Sequence, residues 1–284
     1  MMLFLWLFHP QISKNFNMID LCVVNYNTRP LLQRLLDSLH AGVNLENKFW
    51  NLYIADNDSA DDTVEWLREN DKRYQIDRID LNKNIGYSAA CNKLASRGDN
   101  SIIGILNADV WFTNEDIKKI FQIFNQEPDV HILGPKQRDE YGNIKHAGIV
   151  GTNTAPKHRG WNESDPKDIL YRDRVNCVTI SGSAYFIRRS VWDALTHNAD
   201  YQKIYPGATG AFLPTPHYYE ETWCSYFARH LGYNVVYDGS VSIGHSWHAS
   251  SPKPGEGYSH ADAQFKVSQS IFRRACDHIG IERD

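Results

Sequence analysis

A chain of 284 residues is long enough to bury one sizeable α/β core or two small ones. Its formal net charge of −4 excludes the broad basic field that nucleic acid selects, and no nucleic-acid partner is expected. The five cysteines (Cys22, Cys91, Cys177, Cys224 and Cys276) are odd in number, widely spaced and without a Cys-x-x-Cys, which excludes a disulfide framework or zinc site and points to a reducing, cytoplasmic compartment.

The opening run Met1–Phe8 is strongly apolar. It is far short of the roughly 20 residues that span a bilayer, and it lacks the basic flank and cleavage site of a signal peptide. Met18 stands just before the first strand, so residues 1–17 are expected to be a dispensable extension, with a weak interfacial anchor as the alternative. One domain is expected over 18–260, followed by a helix over 261–284.

From Ile19 the chain alternates between strand and helix. Ile19–Val24 is an apolar run of strand length. Thr28 and Pro30 then open a helix carrying Leu31, Leu32, Leu35, Leu36 and Leu39, which Gly42 closes. Asn51–Ala55 is a second strand, after which Ser59 and Asp62 have capping-box spacing. Ile76–Leu81 is a third strand, Ser88–Ser96 a small-residue helix and Ile102–Leu106 a fourth strand. A helix over Asn114–Asn125, with Asn114 as cap, completes the first half. Such alternation predicts βαβ units and a mostly parallel sheet with ligands at the carboxyl ends of its strands.

The second half is less regular. Val130–Gly134 reads as a strand and Tyr141-Gly142-Asn143 as a hairpin turn. Residues 151–174 read as a long mobile loop, and with 252–260 as possible lids. Val175–Arg188 holds two strand-like runs broken at Ser181-Gly182. Helices follow from Ser190 and over Tyr219–His230, then short strands at Val235–Tyr237 and Val241–Gly244, and a last helix over Ala261–Ile279.

Four polar clusters follow four successive strands: Asn25-Tyr26-Asn27, Asp56-Asn57-Asp58-Ser59, Asn84-Ile85-Gly86 with Asn92, and Asn107-Ala108-Asp109. Any one suits a turn, but four in order converge on one cleft. This succession, over roughly Ile19 to Ser251, resembles the family 2 glycosyltransferases of GT-A fold, especially their rhamnosyltransferase-like branch. The resemblance implies a Rossmann-like α/β sheet flanked by helices, with a small additional C-terminal region. It also implies nucleotide contacts from Asn25, Tyr26, Asn27, Asp56, Asn84, Gly86, Asn92 and Asn107. Asp109 stands at the Asp-x-Asp-type metal position, where Asn107 replaces the first carboxylate, and His245 would complete the shell around Mg²⁺ or Mn²⁺. His248 is a substitute for His245 by position.

Glu221 matches the family's general base, which removes the acceptor proton in an inverting displacement. Glu220 is its neighbour, and either of the two could serve. Ser181, Gly182 and Glu220 would shape the substrate pocket, and Trp161, Trp247 and Tyr258 are candidates for stacking on sugars. The implied partners are a nucleotide-sugar donor and a glycan, glycolipid or protein-glycan acceptor, with peripheral membrane contact through a lipid-linked acceptor. A dehydrogenase is excluded by the missing Gly-x-Gly-x-x-Gly after the first strand, and a nucleotidyltransferase by the missing Gly-rich first loop. A catalytically idle nucleotide-sugar or carbohydrate-binding module is the alternative function.

Overall fold

The alternating first half folds as four parallel strands joined by helices. β1 (Ile19–Asn25), β2 (Trp50–Asp56), β3 (Ile76–Asp80) and β4 (Ile102–Asn107) lie in the order β4-β1-β2-β3. This computed structural model describes residues 18–41, 48–247 and 258–283. Residues 1–17, Gly42, His248 and Ser250-Ser251 lie outside them, as does most of 252–260. Every residue of β1 is buried, as a strand covered on both faces requires.

The helices form where the apolar spacing placed them, but their caps differ. α1 (Arg29–His40) buries Leu32, Leu35, Leu36 and Leu39. Thr28 precedes it without capping it, because its hydroxyl donates to Asn25 Oδ1 at 2.7 Å. The expected Ser59–Asp62 box before α2 (Thr63–Tyr74) is absent for a similar reason: the Ser59 hydroxyl donates to Asp56 at 2.6 Å. α3 (Tyr87–Ala95) has no side-chain cap. α4 (Asn114–Gln126) is capped by Thr113 rather than Asn114, since Thr113 and Asp116 bond reciprocally.

Beyond β4 the sheet becomes mixed. β6 (Ile132–Arg138), β10 (Arg174–Asn176), β11 (Ala184–Arg188) and β12 (Val235–His245) extend it in the order β10-β12-β6-β11-β4. β11 is antiparallel to both neighbours, whereas β12 runs parallel to β6. The two short strands expected at Val235–Tyr237 and Val241–Gly244 are one strand, with a register shift between Asp238 and Ser242. A two-residue strand, β5 (Val110–Trp111), pairs with its end and had no signal in the sequence. β7 (Ile144–His146) returns along β6 around the expected turn.

The stretch read as a mobile loop is largely fixed. β8 (Ile149–Thr152) and β9 (Ala155–His158) form a hairpin. The chain after it is pinned by Lys136 of β6, whose wholly buried ammonium lies 3.0 Å from Asp165 Oδ2, 2.5 Å from Asp168 Oδ1 and 2.6 Å from the Leu170 carbonyl. A buried ammonium needs such partners, and its polar partners made the segment look like loop.

Two apolar clusters cover the two faces of the sheet. One takes residues from α1, α2 and α4. The other takes them from α3, α5 (Arg189–Thr196), α6 (Ala199–Ile204), α7 (Glu220–His230) and α8 (Tyr258–Ile279). Phe272, Ala275 and Cys276 of α8 lie in the same cluster as Trp223 and Phe227 of α7. All five cysteines are buried free thiols. No helix among the described residues is long and apolar enough to cross a membrane.

Candidate active site

The order β4-β1-β2 places a topological switch beside β1, where α/β sheets leave a crevice at the carboxyl ends of their strands. Asn25, at the end of β1, is wholly buried. Its amide nitrogen lies 3.2 Å from Asp56 Oδ1, Ser59 Oγ and Thr63 Oγ1, so it ties the end of β1 to that of β2 rather than facing the crevice. Asp56 also accepts from the Ser59 backbone at 2.9 Å, which fixes its carboxylate. Asn27, with φ of 55°, donates its N–H to Ser59 Oγ and accepts from the Ala60 N–H at 2.6 Å. Tyr26 stands beside it, 48% exposed. Asn84 accepts from Asn57 at 3.0 Å and from the Gly86 N–H at 2.9 Å. Gly86 has φ of +84°, and a Cβ there would meet the Pro216 carbonyl at 3.3 Å.

Asn92 is turned away from this edge. Both ends of its buried amide bond the Phe212 backbone, at 2.9 and 3.2 Å, so it anchors the chain before α7. A small-residue helix gives the same pattern whether its asparagine faces a ligand or a neighbouring segment.

The other expected residues meet in a cleft of about 160 Å³. It gathers Asn107, Asp109, Ser181, Gly182, Glu220, Glu221 and His245, with Trp247 at its edge. Tyr87, Ser183, His217 and Tyr218 also line it: Tyr87 ends the Asn84–Tyr87 cluster, Ser183 the Ser181-Gly182-Ser183 turn, and His217 had no assignment from sequence. Tyr87, directly after Gly86, donates its hydroxyl to Asn107 Oδ1 at 2.8 Å. His217 and Tyr218 come from an irregular segment with no periodic signal. A larger cavity of about 570 Å³ lies elsewhere, lined by Arg34, Trp111, Arg138, Glu140 and Tyr141 among others. It contains none of the expected residues, and the chemistry selects the smaller cleft.

Asp109 and His245 are brought together by the β5–β12 pairing. Val110 sits opposite His245, Trp111 opposite Gly244, and the Ser246 N–H donates to the Asp109 carbonyl at 2.9 Å. His245 Nε2 is then 3.4 Å from Asp109 Oδ1. Its other nitrogen, Nδ1, is 3.0 Å from Gln137 Oε1, which also accepts from Ser183 Oγ at 2.7 Å. An amide oxygen only accepts, so Nδ1 donates to Gln137 and Nε2 is the nitrogen directed at Asp109. Gln137 had no sequence signal, because it lies on β6, far from the motifs in the chain. A carboxylate and an imidazole so oriented suit Mn²⁺ better than the all-oxygen preference of Mg²⁺. No group of three or more His, Cys, Asp or Glu gathers among the described residues, so diphosphate and water oxygens would complete such a shell.

Glu220 and Glu221 open α7 after two residues in left-handed backbone, Tyr218 (φ 73°) and Tyr219 (φ 70°). Each such non-glycine residue costs about 1–3 kcal/mol. Glu220 is buried and accepts from Thr215 Oγ1 at 3.3 Å. Burial, and then the charge of Glu221, push its carboxyl up to about 8. Burial also raises Glu221, which is the more exposed of the two. The two carboxyls therefore titrate as a unit, and deeper burial together with its neighbour's charge favours the shared proton on Glu220. Gly182 leaves room for it: a Cβ there would stand 3.2 Å from Glu221 Cγ.

The family model described as "Glycosyl transferase family 2" matches residues 20–195. The fold resembles that of "Mannosyltransferase PcManGT from Pyrobaculum calidifontis in complex with GDP-Man and Mn2+", with a TM-score of 0.57 and 13% identity, over 89% of this chain and 62% of that one. It also resembles GalNAc-T7 with UDP, GalNAc and Mn²⁺ (TM-score 0.59, 14% identity, 82% of this chain and 44% of that one). S. aureus TarS is similar as well (TM-score 0.56, 14% identity, 80% and 36%). The chain thus spans less than two thirds of each of these proteins. No curated protein sequence matches it.

Proposed function

The chain belongs to glycosyl transferase family 2, and from that premise we propose that it moves a sugar from a nucleoside diphosphate sugar to an acceptor hydroxyl, in a metal-dependent, inverting reaction. The observation that carries the proposal is one cleft holding an oriented Asp109–His245 pair and a buried Glu220–Glu221 pair. The strand-end residues Asn27, Asp56 and Asn84 would receive the nucleoside, with Asn25 holding Asp56 in place. Asp109 and His245 would hold a divalent cation, which when bound supplies positive charge against the leaving diphosphate.

Glu221 takes the proton of the acceptor hydroxyl. The acceptor oxygen bonds to the anomeric carbon from the face opposite the diphosphate, and the carbon–oxygen bond to the diphosphate breaks with its electron pair leaving on that oxygen. Glu220, still protonated, keeps a second negative charge away from the base. The mannosyl- and rhamnosyl-type members are the branch in view, in keeping with the GDP-Man and Mn²⁺ named for the archaeal neighbour. The acceptor is a glycan, glycolipid or protein glycan, reached in the cytoplasm with peripheral membrane contact where it is lipid-linked.

The test is release of nucleoside diphosphate from a panel of UDP-, GDP-, dTDP- and CDP-sugars with Mn²⁺ or EDTA. One donor should be consumed, EDTA should stop it, and Asp109→Ala should lower the rate by about 100-fold or more. Binding of a nucleotide with no turnover of any donor, even with acceptor glycans present, would replace this reading with the idle binding module.

A further inference from the structure

The last helix meets the cleft at its most strained point. Tyr218 and Tyr219 are consecutive, both left-handed, and directly precede Glu220-Glu221. His217 and Tyr218 also line the cleft. Nothing in these side chains favours that backbone, so contacts from elsewhere must hold it.

Besides Tyr87, whose ring meets that of His217, α8 supplies such contacts. The buried face of this helix is apolar at Phe272, Ala275 and Cys276, but one turn before Phe272 it carries Ser268, wholly buried. The Ser268 hydroxyl donates to the His217 carbonyl and accepts from the His217 N–H at 3.5 Å, so it engages both backbone polar groups of one residue, across two consecutive peptide units. Gln269 Nε2 donates to the Tyr219 hydroxyl at 3.1 Å. Phe272 stacks on the Tyr219 ring, with centroids 4.9 Å apart and planes inclined by 24°. Phe265 meets both tyrosine rings, at 5.7 and 5.3 Å. A buried serine in an apolar stripe is costly unless its hydroxyl is used, and here it is used on the segment that enters the cleft.

We propose that α8 is a clamp on the active site, with Ser268, Gln269 and Phe272 as positioning residues that hold the strained His217–Tyr219 turn and thereby aim Glu221 and the pocket wall. The proposal rests on the glycosyltransferase reading for its catalytic consequence, but the clamp itself is structural and can be measured without turnover. Ser268→Ala removes the hydroxyl without enlarging the helix, and Phe272→Leu weakens the stack.

Both variants should show faster amide hydrogen exchange in peptides covering 214–224, while strands β1 and β4 stay protected. With the donor that the panel selects, kcat should fall about 10–100-fold while the donor KM stays within about twofold, because misaimed groups cost rate rather than ground-state binding. Ser268→Thr, which keeps the hydroxyl, should restore both readouts. Unchanged exchange at 214–224 in both variants overturns the clamp. So does a lowered melting point with kcat intact, since that marks α8 as packing alone. If no nucleotide sugar is turned over, the glycosyltransferase reading has failed, and the exchange measurement still decides the clamp.

Discussion

At the scale of single residues, the adjacent carboxyls carry the sharpest prediction. Glu221→Gln removes the group assigned as base and should lower kcat by about 10²–10⁴. Glu220→Gln replaces a carboxyl that is protonated at neutral pH with its uncharged imitation, so its kcat should stay within about tenfold of the parent. If Glu220→Gln is the dead variant, the roles are reversed. The same substitution has a signature in stability. The Glu220 carboxyl is raised from 4.5 to about 8 in the fold, so it contributes most below about 4.5, and that contribution is lost as pH rises through 8. The melting-point difference between Glu220→Gln and the parent should therefore widen in the variant's favour between about pH 5 and 9. Adjacent acids at a helix start were legible in the sequence, as were Asp109 and Asp56 after apolar runs. Gln137 and Ser268 were not, because their meaning comes from partners 46 to 108 residues away in the chain, joined only by the tertiary fold.

At the scale of elements, the shortest strand does much to make the site. β5 is two residues long, too short for any alternation to register, yet its pairing with β12 brings Asp109 to His245. The pairing depends on Gly244. A Cβ there would stand 1.7 Å from the Trp111 ring, and the Arg34 guanidinium lies 3.5 Å from the centroid of that ring. Gly244→Ala must therefore drive the indole toward the larger cavity that it lines or push β5 from β12. Overpacking of this kind costs about 1–3 kcal/mol. The more specific outcome is a rise in the Mn²⁺ concentration needed for half-maximal rate, as Asp109 and His245 separate. An unchanged Mn²⁺ requirement would mean that the indole has moved instead, or that the pairing is not what sets the metal site. The longer elements were readable because period and capping residues are local. β12 was read as two pieces because its register shift places polar residues mid-strand.

At the scale of the whole molecule, the cleft is shared between two differently built halves of one sheet. The end of the parallel half supplies Asn107 and, just after it, Asp109, and the later part of the chain supplies Glu221 and His245. The family match ends at residue 195, before α7 and β12, so the second set lies outside the part that the family model covers. A ligand that engages both halves should stabilise them together. At about 100 times its dissociation constant, the matching nucleoside diphosphate with Mn²⁺ should add about 2.7 kcal/mol, or roughly 5–10 °C in melting point for a chain of this size. EDTA should remove most of the gain. Asp109→Ala and His245→Ala should each remove the Mn²⁺-dependent part, although the two residues come from distant parts of the chain. A His245→Ala protein that keeps the full Mn²⁺-dependent shift would assign His245 to holding β12 against Gln137, and would leave the metal to Asp109 and the diphosphate alone.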